Sequence, residues 1–136
     1  MGHGALIVLD THALIWWIAA SPALSRSAKR AIEAAARNDC VVASTISILE
    51  IATAVRRQRL ELRQPLGEWV ADVRALPELR FEPISVDIAA RAGAFDDAML
   101  GDPADRLILA TAAALGTKLV SADRKLRGNR QVEVVW

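Results

Sequence analysis

Leu6-Ile7-Val8-Leu9-Asp10 is a short, continuous apolar run that ends on an acid. An unbroken run of this kind suits a strand buried on both faces, as in a parallel sheet, because a strand with one solvated face would alternate. The chain around it agrees. A helix is predicted from about His12 to Ala19, broken at Ser21-Pro22. Ser25 reads as the N-cap of a second helix through about Arg37, with Ala28, Ile32 and Ala35 or Ala36 on its apolar face. Asn38-Asp39 turn the chain into Cys40-Val41-Val42-Ala43, the second strand. Thr45 or Ser47 caps the next helix, which carries Ile48, Leu49, Ile51, Ala52 and Val55 and ends in Arg56-Arg57-Gln58-Arg59. Pro65 opens a helix with Leu66, Trp69, Val70 and Val73, and Pro77 closes it. Phe81 to Ile84 is a short strand that Pro83 restricts to a sheet edge. Val86 to Phe95 is helical. Gly101 to Pro103 turn into a helix from Ala104 to Leu115, stopped by Gly116. Lys118 to Ser121 and Val132 to Val135 are strands, the last alternating as an edge strand does. Strands alternating with helices predict an α/β sandwich: a mostly parallel central sheet, flanked by helices and joined by right-handed crossovers.

Composition sets bounds on this reading. A chain of 136 residues suits one domain over 1–136, and 53% hydrophobic with 24% charged residues is enough to build a core. Seventeen basic against 16 acidic residues leave a net charge of +1, so global charge does not point to nucleic acid. One cysteine, Cys40, excludes an intrachain disulfide framework and a zinc finger, and a buried inert thiol is its expected role. The apolar stretch Ala13–Ala20 is far short of the roughly 20 residues that span a bilayer, and no basic residue precedes Arg26. The chain therefore reads as cytoplasmic, with no membrane partner. Gly2-His3-Gly4 carries no functional weight.

The acids are where chemistry enters. In parallel α/β sheets, ligands bind beyond the carboxyl ends of the strands, near the switch point. Asp10 ends the first strand, Asp123 lies just past the Lys118–Ser121 strand, Glu50 is about one turn into the helix after the second strand, and Asp105 is in the first turn of its helix. All four are placed at one sheet edge. Crowded carboxylates repel and raise one another's pKa, so such a group is stable mainly around a divalent cation. Hard oxygen ligands without a Cys/His set favour magnesium or manganese. Each acid also has a structural reading. Asp10 and Asp123 can cap the helical turns after them, and Asp102 before Pro103 is a standard helix start. Asp105 also suits the dipole of that helix. Glu50 has apolar neighbours in sequence, which calls for a partner or a metal.

At this point the residues resemble a known family. Val8-Leu9-Asp10-Thr11-His12-Ala13-Leu14-Ile15-Trp16 is similar to the opening motif of PIN-domain proteins of the VapC toxin branch. Ser47-Ile48-Leu49-Glu50-Ile51-Ala52 looks like its second motif, Asp102-Pro103-Ala104-Asp105-Arg106-Leu107-Ile108-Leu109-Ala110-Thr111-Ala112 its third and Leu119-Val120-Ser121-Ala122-Asp123 its fourth. The resemblance spans nearly the whole chain. It implies a three-layer PIN-like sandwich and a magnesium-dependent endoribonuclease, the toxin of a type II toxin–antitoxin pair. Asp10, Glu50 and Asp105 would hold the metal, Asp123 would complete the catalytic pocket, and Ser121 would stand behind them. A homodimer, a VapB-like antitoxin over the acidic groove, promoter DNA bound only through that antitoxin, and transfer RNA as a substrate class are also implied. Relatives often have Thr where Ser121 stands, and His where Leu100 precedes Gly101.

Other residues admit two readings. His12 is a potential ligand or base but belongs to a helix start. Trp16, Trp17 and Ile18 read as core or dimer surface. Arg106 is expected to pair with a nearby carboxylate. Arg57 lies seven residues after Glu50 on the same helix face, roughly 10 Å away, within reach of an adjoining phosphate or simply solvated at the helix end. Arg124, Lys125, Arg127 and Arg130 follow Asp123 and supply local positive charge for an RNA path. Two other function classes compete. A phosphoryl-transfer protein of the haloacid dehalogenase type needs a second Asp where His12 stands, and a receiver domain needs an Asp where Ala43-Ser44 stand. A non-catalytic α/β binding module would use the same acidic pocket only to hold a partner.

Overall fold

The computed structural model describes residues 6–97 and 101–136. In chain order the elements are β1 (Ile7–Leu9), α1 (Thr11–Ile18), α2 (Arg26–Asn38), β2 (Val41–Ser44), α3 (Thr45–Arg56), α4 (Leu66–Arg74), β3 (Leu79–Glu82), α5 (Val86–Ala94), α6 (Pro103–Leu115), β4 (Lys118–Val120), α7 (Arg124–Arg127) and β5 (Val134–Val135). The strands form one sheet in the order β3-β2-β1-β4-β5, and every pairing in it is parallel. β1 lies between β2 and β4, with Leu9 opposite both Ala43 and Val120. Its apolar run is thus explained: Ile7, Val8 and Leu9 are all buried.

Alternation along the strands sorts side chains into two cores. Ile7, Leu9, Val41, Ala43 and Val120 pack with Leu14, Ile32, Ile51 and Val73 from α1 to α4 on one face. Val8, Val42 and Leu119 pack with Ile108 and Leu109 of α6 on the other, and α5 is laid on α6 through Ile88, Ala92 and Ala110. Helices on both faces of one sheet make three layers. The chain winds β1-β2-β3 toward one edge and then crosses to β4-β5 on the other side. The switch point therefore lies between β1 and β4.

Several boundaries differ from the sequence reading, each for a local reason. β2 extends to Ser44, and Ser44 itself caps α3, its hydroxyl accepting from the Ile46 N–H at 3.1 Å. Neither Thr45 nor Ser47 is the cap: extended backbone at Ser44 ends the strand and opens the helix with no loop residue between. β3 stops at Glu82, before Pro83, whose ring nitrogen cannot donate to a ladder. β5 is shorter than Val132–Val135, because the Asn129 carboxamide oxygen takes the N–H of Val132 at 2.7 Å and its NH2 the carbonyl at 3.0 Å. Cys40 is half-buried at the start of β2 instead of fully enclosed. Gly116 ends α6 in the left-handed region, at φ 65°. Among the described residues, no helix is long and apolar enough to cross a membrane.

Candidate active site

Each acid reaches the carboxyl edge of the sheet by a different local device. Asp10 follows β1 directly. Its N–H bonds the Val120 carbonyl at 3.1 Å, extending the β1–β4 ladder by one step, and its carboxylate accepts from the Ala13 N–H at 2.9 Å as the N-cap of α1. The helix-cap and site readings of Asp10 therefore describe one placement. Asp123 follows β4 after Ser121 and Ala122 and caps α7, accepting from the Lys125 N–H at 2.9 Å. Asp102 caps α6 through the Ala104 N–H at 2.8 Å, with Pro103 in the first turn. Because α6 must run back to the amino edge to feed β4, its first turn, with Asp105, lies at the carboxyl edge. Glu50 projects from the second turn of α3, which starts there after β2.

Electrostatics shows that the four are together. The Asp105 carboxyl is pushed up to about 6, first by its own burial and then by the negative charges of Asp102, Asp123, Glu50 and Asp10. Asp10, only 8% exposed, is also raised, chiefly by burial. Hydrogen bonds from Ser121 and Ala13 and the nearby His12 pull it back down, while Asp123 adds to the rise. Ser121 is fully buried; its hydroxyl serves Asp10 and accepts from the Asp123 N–H at 3.0 Å, tying two of the acids to one side chain.

Glu50 is held differently from what its sequence neighbours indicate. Successive helical residues point in different directions, so Ile51 is buried while Leu49 is 60% exposed and Glu50 is half-buried. Its support is polar: the Thr11 hydroxyl donates to the Glu50 carboxylate, and Thr11 is in turn 2.9 Å from the Ser47 hydroxyl. Sequence reasoning missed Thr11 and offered Ser47 only as one of two possible caps. The spacing Ser47-x-x-Glu50, one helical turn, was the available clue.

The remaining singled-out residues separate. Arg106 points away to the end of α5, donating to the carbonyls of Ala92 at 2.9 Å, Asp96 at 3.4 Å and Phe95. These described bonds go to carbonyl oxygens, and they fasten α6 to the end of α5. Arg57 is the exposed C-cap of α3 and forms no ion pair among the described residues. Arg124, Lys125 and Arg127 are exposed on α7, directly after Asp123. His12 and Trp16 meet in a tilted contact with ring centroids 5.5 Å apart, and Trp16 meets Trp136 at 5.6 Å, so this aromatic group joins α1 to Trp136. Leu100 and Gly2-His3-Gly4 lie outside the described residues. A cleft of about 400 Å³ opens at the opposite edge of the sheet, lined by Gly116, Lys118, Val132 and Glu133, and takes in none of the four acids.

The donors available are carboxylate and hydroxyl oxygens. Among the described residues, no three acidic, His or Cys side chains close into a ready-made cage. Oxygen donors of this kind suit a hard divalent cation such as magnesium or manganese.

Residues 7–130 match the PIN domain family. The chain belongs to the PIN-domain family. Over 132 residues, 96% of this chain and 98% of the relative, this PIN domain is 38% identical to Ribonuclease VapC22 of Mycobacterium tuberculosis (strain ATCC 25618 / H37Rv). Among solved structures it resembles a chain of VapBC2 from Rickettsia felis bound to a DNA fragment from their promoter, with a TM-score of 0.71 and 16% identity over 95% of this chain and 96% of that one. It also resembles a chain of a toxin–antitoxin complex from Klebsiella pneumoniae, with a TM-score of 0.63 and 25% identity over 93% and 94%. At 16% identity the first of these speaks for the fold alone.

Proposed function

We propose that this PIN domain is a magnesium-dependent endoribonuclease, the toxin of a type II toxin–antitoxin pair. The observation that carries the reading is the convergence of Asp10, Glu50, Asp105 and Asp123 at the switch point, read out in the raised Asp105 carboxyl. Asp10, Glu50 and Asp105 would hold the ion, and Asp123 would complete the pocket. A bound magnesium or manganese ion supplies a water of lowered pKa and neutralises charge on the phosphate oxygens. Ser121 fixes the orientation of Asp10 and the backbone of Asp123. The α7 cations Arg124, Lys125 and Arg127, with Arg130 and Arg57, meet phosphates flanking the cleaved bond, so local positive charge draws RNA to an acidic centre despite a net charge of only +1. Transfer RNA is the substrate class we favour.

The relative bearing a ribonuclease name, 38% identical over nearly the full length of both chains, supports this reading. The toxin–antitoxin complex from Klebsiella pneumoniae, at 25% identity, supports an antitoxin partner, and we take that partner to be VapB-like and laid over the acidic rim. We extend the proposal to a cytoplasmic homodimer that reaches promoter DNA only through that antitoxin. Incubation of the purified chain with an RNA pool should give discrete fragments with magnesium and none with a chelator, and Asp10→Asn should abolish them. Metal-dependent cleavage that survives Asp10→Asn would overturn the site assignment.

A further inference from the structure

The hydroxyls of Thr11 and Ser47 form a directed chain that ends on one acid. A hydroxyl carries a single proton. Thr11 gives its proton to the Glu50 carboxylate, so it has none left for Ser47. The 2.9 Å bond between the two hydroxyls is therefore donated by Ser47 and accepted by Thr11. Ser47 is fully buried and Thr11 is 9% exposed, so water does not compete freely for either position. The chain Ser47 to Thr11 to Glu50 crosses from α3 to α1 and back, linking residues 36 and 39 apart in sequence. Thr11 is the first residue of α1, directly after Asp10, and Ser47 is one turn before Glu50 on α3. The same contact thus sets the angle of Glu50 and ties the helix that carries it to the strand end that carries Asp10.

We propose that Thr11, backed by Ser47, is the positioning residue that aims the Glu50 carboxylate at the metal and fixes its distance from Asp10. The assignment rests on the proposed metal-dependent reading of the site. Neither hydroxyl touches substrate or ion; both act through Glu50. Polarisation along the chain strengthens the bond to the carboxylate, because each donated proton makes the next hydroxyl a better donor. Groups that orient metal ligands in this way typically cost about 10- to 100-fold in metal affinity or activity when removed.

The test compares wild type, Thr11→Val, Thr11→Ser, Ser47→Ala, Glu50→Gln and the double variant Thr11→Val/Glu50→Gln. Manganese affinity is read by calorimetry and RNA cleavage by its manganese half-saturation. Thr11→Val should weaken manganese binding by about 10-fold or more. Thr11→Ser should restore it to within about threefold, and Ser47→Ala should give a smaller loss than Thr11→Val. In the Glu50→Gln background, Thr11→Val should add little, since a residue that acts only through Glu50 has nothing further to lose. Thermal melts without metal separate folding from positioning. Lowered melting with unchanged manganese affinity in Thr11→Val and Ser47→Ala would overturn the proposal, as would full additivity in the double variant. If Thr11→Val does not fold, the Ser47→Ala and Thr11→Ser affinities decide by the same criterion. If Glu50→Gln alone leaves manganese binding and cleavage intact, the metal site itself is misplaced and the positioning role falls with it.

Discussion

Asp105 is held against its own chemistry. An unfolded Asp titrates near pH ~3.9, whereas in the fold burial and four neighbouring carboxylates push this one up to about 6. The folded chain therefore binds that proton more tightly than the unfolded chain. For this group stability is fully present below about pH 4 and is lost as pH rises through about 6. Melts of the metal-free protein should fall in temperature between pH 4.5 and 7.5, and Asp105→Asn should flatten that fall while removing activity. Equal slopes for the two proteins would contradict the crowding. The shared sheet edge of the four acids was legible from sequence because each stands just past a strand end or in the first turns of a helix that starts there. Thr11 and Ser47 were not, since a Thr or Ser beside a helix start is satisfied equally well as a cap, and only the fold brings them to the same carboxylate. The carbonyls that Arg106 bonds at the end of α5 were not legible either, because the sequence does not say which helix lies alongside α6.

Helix and strand identities could be read from periodicity, while their ends were set by side-chain hydrogen bonds. Ser44 serves as the last residue of β2 and as the cap of α3, and the Asn129 carboxamide takes the backbone of Val132 out of β5. Gly116 shows a stop signal that was legible. Its φ of 65° is left-handed, and a Cβ there would meet nothing within 4 Å. Gly116→Ala should therefore cost about 1 kcal/mol through backbone strain alone, measured by denaturant unfolding, with no change in cleavage. A cost near zero would mean that the α6 end relaxes out of the left-handed turn. In α6, Leu109 is fully buried in the core under the sheet. Leu109→Ala should cost about 2–5 kcal/mol for lost burial and the cavity left behind. A loss under about 1 kcal/mol would mean the layer collapses onto the gap.

At the scale of the whole molecule, strand order brings four separate acids to one edge of the sheet. The continuous apolar run of β1 marked it as a central strand, and Pro83 and the alternation before Trp136 marked the two edges. The crossing from β3 back to β4, which creates the switch point, is a tertiary choice that no local stretch records. Leu9 faces Val120 across that point, placing Asp10 beside Ser121 and, two residues on, Asp123. A fold that gathers carboxylates in this way is destabilised by their repulsion until a cation neutralises it, so metal binding and stability are linked. Magnesium should accordingly raise the melting temperature at pH 7.5 more than at pH 5, where Asp105 is already protonated. The most direct test of the central claim is a calorimetric titration of magnesium into wild type and Asp105→Asn at pH 7.5. Saturable binding in wild type, weakened at least about tenfold in the variant, is the predicted result. Equal binding by both proteins, or none by wild type, would contradict the assignment of the carboxylate ring as a metal centre.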